Sequence, residues 1–156
     1  MTSTAQRHYK TPEEALTART EVRGDCLVWT GARLKTGYGS IQVRGKRVRV
    51  HRYAWERENG PIPAGAFVDH LCHNRLCVSP PHLRLATPAE NLRNLSGPQA
   101  NNALGVRNVR FSRGQYVVEV MKDRVRYVEK HESLADASRA AEALRQKLFG
   151  DFAGKG

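Results

Sequence analysis

Apolar residues fall on every second position around one turn of the chain. Ile41, Val43, Val48 and Val50 alternate with Gln42, Arg44, Arg47 and Arg49 on either side of Arg44-Gly45-Lys46. That period predicts a β-hairpin with one apolar and one strongly basic face. Upstream, Thr11-Pro12-Glu13-Glu14 has the cap, first-turn proline and capping-box acid of a helix start, and the helix is expected to end before Gly24. Cys26 to Thr30 reads as a short strand and Gly31 to Gly39 as a loop. Arg52 to Asn59 reads as a helix stopped by Gly60-Pro61-Ile62-Pro63. Ala66 to Asp69 and Leu83 to Ala86 read as two extended arms of one loop, and Thr87-Pro88-Ala89-Glu90 opens another helix, with Asn91 in its first turn, that runs to about Asn94. The polar run Ser96 to Asn102 breaks the pattern. Beyond it, Gly105 to Phe111, Gln115 to Met121 and Arg124 to Val128 predict three strands. Ser133 then caps a helix with Ala137, Ala140, Ala141, Leu144 and Leu148 on one face, ended by Gly150. The alanines allow close approach to a small sheet.

Charge adds a partner to this outline. Within 156 residues, 26 lysines and arginines stand against 15 acids, a formal charge of +11 and a pI of about 10.1. Such a balance favours a polyanion bound through its phosphates. No apolar run approaches the length of a membrane span, and Met1 to Lys10 lacks the apolar core of a signal peptide, so the expectation is an intracellular protein with no membrane partner. Three cysteines are an odd number, which argues against a disulfide framework.

The cysteines suit a metal instead. Cys72, Cys77 and His82 are spaced by four intervening residues each, and Cys26 completes a Cys3His set of the kind that binds structural zinc tetrahedrally. Read alone, Cys26 could equally be a buried strand thiol. Just before this loop stand Asp69 and His70. Phosphodiester hydrolysis needs a base for water, a divalent metal and usually a cation on the non-bridging oxygens. His70 suits the base, Asp69 and Asn91 are hard oxygen donors suited to Mg2+, and the hairpin arginines supply cations. The plainer alternatives are a core or additional zinc-ligating role for His70 and a solvent-facing Asn91. His73 could serve only the turn, whereas Asn74 could make turn bonds or orient the base; His51 is ambiguous.

Asp69-His70-Leu71-Cys72, Cys77, Pro81-His82-Leu83 and Asn91 together resemble the ββα-metal, or His-Me finger, nucleases of the HNH class, above all the His-Cys box homing endonucleases. The resemblance covers roughly Cys26 to Asn94. It implies His70 as general base, Asn91 as ligand of a catalytic Mg2+ with Asp69 assisting, and structural Zn2+ on Cys26, Cys72, Cys77 and His82. Members often carry a second zinc site and a dimerising tail, and no cysteine follows Cys77 here, so monomer and homodimer both stay open. Gly105-Val106-Arg107, Gly114 to Val120 and the helix from Ala137 to the Leu148-Phe149-Gly150-Asp151-Phe152-Ala153 end resemble the Apetala/ethylene-response-factor DNA-binding domain. That implies a sheet in the major groove with Arg107, Arg110 and Glu119 as contacts; Arg124, Arg126 and Tyr127 join them only in one register.

The expected fold class is α+β: a zinc-stapled ββα-metal nuclease unit with a basic β-hairpin over residues 1–95, a linker at 96–103, and a three-stranded sheet with one helix over 104–156. The expected function is metal-dependent cleavage of double-stranded DNA by a homing-type or phage and prophage HNH enzyme. Gln42, Arg44, Arg47 and Arg49 are expected to contact DNA from the hairpin. The competing reading is a catalytically silent, zinc-stabilised DNA-binding protein, which has no need of His70, Asp69 and Asn91 together.

Overall fold

The computed structural model describes residues 11–155, and the notional signal-peptide test on Met1 to Lys10 lies outside them. Packing divides the chain into two compact units, one ending at Thr87 and the other starting at Pro88. Helices and small antiparallel sheets make both, an α+β arrangement.

In the first unit, α1 (Pro12–Ala18) is capped by Thr11, whose hydroxyl accepts the Glu14 amide. The helix stops earlier than expected. Thr20–Arg23 forms an extra strand, β1, paired with β2 (Cys26–Trp29) in the register Arg23↔Cys26 to Thr20↔Trp29. Thr20 and Val22 are β-branched, and Gly24 at φ 58° lets the chain turn within two residues.

The basic hairpin forms as β3 (Ser40–Val43) and β4 (Lys46–Arg49), with Ile41 opposite Val48 and Gln42 opposite Arg47. Arg44 and Gly45 both have positive φ, the two-residue turn whose twist matches the strands. Val50 leaves the strand pattern, because α2 (Val50–Asn59) begins there and buries it completely. β5 (Phe67–His70) and β6 (Leu83–Ala86) pair antiparallel, with Asp69 opposite Arg84 and His70 opposite Leu83.

Leu16, Trp29, Ile41, Val50, Ala54, Val68, Val78 and Leu83 form the core of this unit. Trp29 is 1% exposed and its indole N–H donates to the Ala32 carbonyl at 2.9 Å. Two glycines make room for the ring: a Cβ on Gly31 would fall 2.3 Å from Trp29 Cζ2, and one on Gly39 2.5 Å from its Cδ1.

The second unit opens with α3 (Pro88–Arg93). Its sheet runs β7-β8-β9 (Val109–Ser112, Gln115–Lys122, Val125–His131) and is antiparallel throughout. α4 (Leu134–Phe149), capped by the Ser133 hydroxyl, packs Ala137, Ala141 and Leu144 against Val109, Val118 and Val120. β7 starts later than the sequence pattern suggested, since Gly105 and Asn108 sit at φ 64° and 65° and no strand passes through them. Asp123 and Arg124 also adopt positive φ, which makes Lys122 and Val125 the first pair of the β8–β9 hairpin.

The polar segment expected as a linker belongs to this second unit. Asn102 bonds the Val106 carbonyl and the Leu104 amide, Lys155 N–H donates to Leu95 O at 2.8 Å, and Arg107 donates to Arg93 O at 2.7 Å. Packing places that segment in the unit that starts at Pro88.

Candidate functional site

Cys26 begins β2, Cys72 and Cys77 lie in the loop after β5, and His82 ends a single 3-10 turn, Pro80–His82, before β6. The loop is stitched to β2 by backbone: Trp29 N–H donates to Leu76 O and Val78 N–H to Leu27 O, both at 2.8 Å. That stitching carries Cys77 beside Cys26, 51 positions away by their numbers. One ligand atom from each of Cys26, Cys72, Cys77 and His82 lies within 4.8 Å of the others. His82 Nδ1 is 3.6 Å from Cys26 Sγ and 3.5 Å from Cys77 Sγ. A zinc tetrahedron with Zn–S of about 2.3 Å and Zn–N of about 2.1 Å has edges of about 3.5–3.8 Å, so the donor set fits that ion. Burial pushes the Cys77 thiol up to about 12 and raises that of Cys72. A bound cation would reverse that penalty, because thiolate is the ligand form.

His70 closes β5 and is 5% exposed. Its Nε2 lies 3.1 Å from the Cys77 carbonyl oxygen. A carbonyl only accepts, so Nε2 carries the proton and Nδ1 the basic lone pair. Burial lowers the His70 pKa from its ordinary value, opposed by the bond to Cys77 and the charge of Asp69. The ring is therefore neutral near pH 7, the form a base requires.

Asp69 has a partner that sequence spacing did not reveal. Directly across the β5–β6 ladder, Arg84 donates to its Oδ2 through Nε at 3.1 Å and Nη2 at 3.0 Å. Asn74 shapes the loop: its side-chain oxygen accepts the Leu76 amide and its carbonyl the Cys77 amide.

His51, in the first turn of α2, stands next to His70. The two imidazole centroids are 4.6 Å apart. His51 is 1% exposed, and its Nδ1 has no hydrogen-bond partner among the described residues. Burial first, then the charges of His70, Arg49 and Arg52, lower its pKa to about 3. Spacing alone could not choose a role for it, since its neighbour in space lies 19 positions away by number.

Gln42, Arg44, Arg47 and Arg49 are all exposed on the hairpin, and Asn91 is half-buried on α3. In the second unit, Arg110 and Glu119 face each other at 3.7 Å, and Arg126 joins them at 3.8 Å. Glu119 alternates with Val118 and Val120, which pack under α4, so this trio lies on the opposite sheet face. The register puts Arg126 there and Tyr127, opposite Val120, on the other side. Arg107 is engaged within the unit: its guanidinium donates to the carbonyls of Ala153 and Arg93, and Arg145, itself 2% exposed, donates to the Arg107 carbonyl.

Residues 48–93 match the HNH endonuclease family model, a span that contains His51, Asp69, His70, Cys72, Cys77, His82 and Asn91 but not Cys26. Protein 7.7 of Escherichia phage T7 is 45% identical over 67 residues, 43% of this chain and 52% of that protein. A protein of Acanthamoeba polyphaga mimivirus named as an uncharacterized HNH endonuclease, L560, is 33% identical over 121 residues, 76% of this chain and 62% of that one. Protein 3.8 of phage T7 is 40% identical over 68 residues, 44% of this chain and 55% of its own length. The chain thus spans about half to three fifths of the length of these relatives. No solved structure matches it.

Proposed function

We propose that this chain is a metal-dependent endonuclease acting on double-stranded DNA, of the phage-associated HNH kind and the ββα-metal class. The observation that carries the reading is the bond between His70 Nε2 and the Cys77 carbonyl, beside the thiol cluster. It leaves a neutral imidazole whose basic nitrogen is Nδ1, held on a loop that zinc would fix. The match of residues 48–93 to HNH endonucleases supports the same chemistry.

In this reading Zn2+ on Cys26, Cys72, Cys77 and His82 is structural, with all four positions filled by protein. Mg2+ would stabilise charge developing on the phosphate. Asn91 and Asp69 are its donors by chemical type, and Asp69 would share its carboxylate with Arg84. His70 takes the proton from attacking water. Gln42, Arg44, Arg47 and Arg49 meet the backbone from the hairpin, and Arg110, Glu119 and Arg126 of the second unit extend the DNA contact. The His-Cys box likeness rests on the zinc set, and the module likeness on the sheet with its single helix.

The test is plasmid cleavage with Mg2+ by the zinc-loaded protein and its His70→Ala variant. The variant should cut about 10² to 10⁴ times more slowly with zinc content unchanged. Equal rates would remove His70 from the chemistry; no cleavage by either protein would favour the silent DNA-binding reading.

A further inference from the structure

Tyr38 lies in the loop ahead of β3, between Gly37 and Gly39, outside every motif discussed above. Four groups meet its ring. The Arg49 guanidinium carbon is 4.9 Å from the ring centroid and that of Arg75 is 5.3 Å away. The His51 ring lies at 5.1 Å and the His70 ring at 6.1 Å. These side chains come from four separate stretches: the end of the basic hairpin, the zinc loop, the start of α2 and the end of β5.

We infer that Tyr38 is a positioning residue for the phosphate side of the nuclease site, its ring holding Arg49 and Arg75 beside the His51–His70 pair. The inference rests on the nuclease reading and deepens it by naming which cations accompany the base.

Three physical points carry it. An arginine on a flexible stem is a poor phosphate clamp until something fixes its plane, and an aromatic face does so by attracting the cation and stacking on it. Arg75 is held further, because its Nη1 donates to Thr36 O at 2.9 Å and its stem passes Gly37 at 3.8 Å from where a Cβ would lie. Second, neither Arg49 nor Arg75 forms an ion pair among the described residues. Two cations gathered on one ring without a carboxylate create a local positive field that an anion would relieve. Third, the two histidines meet the same ring, His51 at 5.1 Å and His70 at 6.1 Å between centroids, so the candidate base and both cations share one platform. A phosphodiester bound by these two cations would lie on the cluster that also holds His70, where it must sit for water to be activated against it.

The experiment compares the zinc-loaded full chain with Tyr38→Leu, Tyr38→Phe, Arg49→Ala and Arg75→Ala. It measures single-turnover plasmid cleavage with Mg2+, DNA affinity across a salt series, and zinc content. Tyr38→Leu should slow cleavage by about tenfold or more and flatten the salt dependence by about one unit for each phosphate contact released, up to two. Tyr38→Phe, which keeps the ring, should recover most of both. Each arginine variant should slow cleavage and lose about one unit of slope. Wild-type rate and slope in Tyr38→Leu with full zinc would overturn the proposal. If Tyr38→Leu fails to fold, the arginine variants decide, and wild-type rates and slopes in both would overturn it. A Tyr38→Phe variant as impaired as Tyr38→Leu would also reject the ring as the platform. Absence of cleavage by the unmodified chain would instead sink the nuclease reading, while the salt slopes would still report on the ring.

Discussion

A single hydrogen bond gives His70 its chemical identity, and no spacing of residues in a sequence reports it. Position 70 stands out in the sequence as a candidate base because it follows an acid and precedes a cysteine loop. The tautomer does not, because the acceptor is the backbone of Cys77, seven positions on, and every residue has such a carbonyl. Arg84 was missed for a related reason: only the register of β5 and β6 decides which residue faces Asp69. His51 yields a prediction at this scale. It binds a proton near pH 6.5 in the unfolded chain and only near 3 in the fold. Its neutral form therefore contributes stability that is complete above pH 6.5 and is lost as pH falls from there towards 3. Urea unfolding of the zinc-loaded protein at equal zinc occupancy should show His51→Phe losing about 2 kcal/mol less than wild type between pH 6.5 and 5. Parallel losses would mean that the buried ring does not titrate as the fold demands.

At the level of elements, hydrophobic period and turn chemistry carried most of the information. The hairpin, α2, both arms of the zinc loop and the alanine face of α4 follow patterns visible in the chain. β1 was absorbed into the preceding helix because four residues are too few to show a period, and the start of β7 was overextended because nothing marks Asn108 for positive φ except its neighbours in the fold. The close approach of Gly39 to Trp29 and Val50 also escapes sequence reading, yet it joins β3 to the core. A methyl group there would meet Trp29 Cδ1 at 2.5 Å and Val50 Cγ1 at 2.6 Å. Overpacking of that kind costs about 1–3 kcal/mol. Gly39→Ala should lower unfolding stability by that amount, while Gly45→Asn, in a turn that tolerates asparagine and has open space around it, should cost much less. Chemical denaturation of both variants makes the comparison; equal losses would show that Trp29 yields readily.

On the scale of the whole molecule, two separate apolar clusters lie in the two units, and Cys26, Cys72, Cys77 and His82 all belong to the first unit. Scanning calorimetry with and without a chelator should therefore show one transition that depends on zinc and a second, from the β7-β8-β9 sheet and α4, that does not. A single transition abolished by the chelator would contradict that independence. Cys77 links the first unit's support to its chemistry in a more particular way. Its sulfur belongs to the candidate ligand set while its carbonyl accepts the hydrogen bond of the His70 ring, so both ends of one residue move together. Exchanging the native ion for a larger thiophilic one should then act like a slight turn of a screw: the fold stays intact, the imidazole is re-aimed, and turnover drops without any side chain having been changed. Circular dichroism alongside single-turnover rates for the zinc and cadmium forms would register that difference, and identical rates would show that the carbonyl holds its aim regardless of which ion fills the cluster.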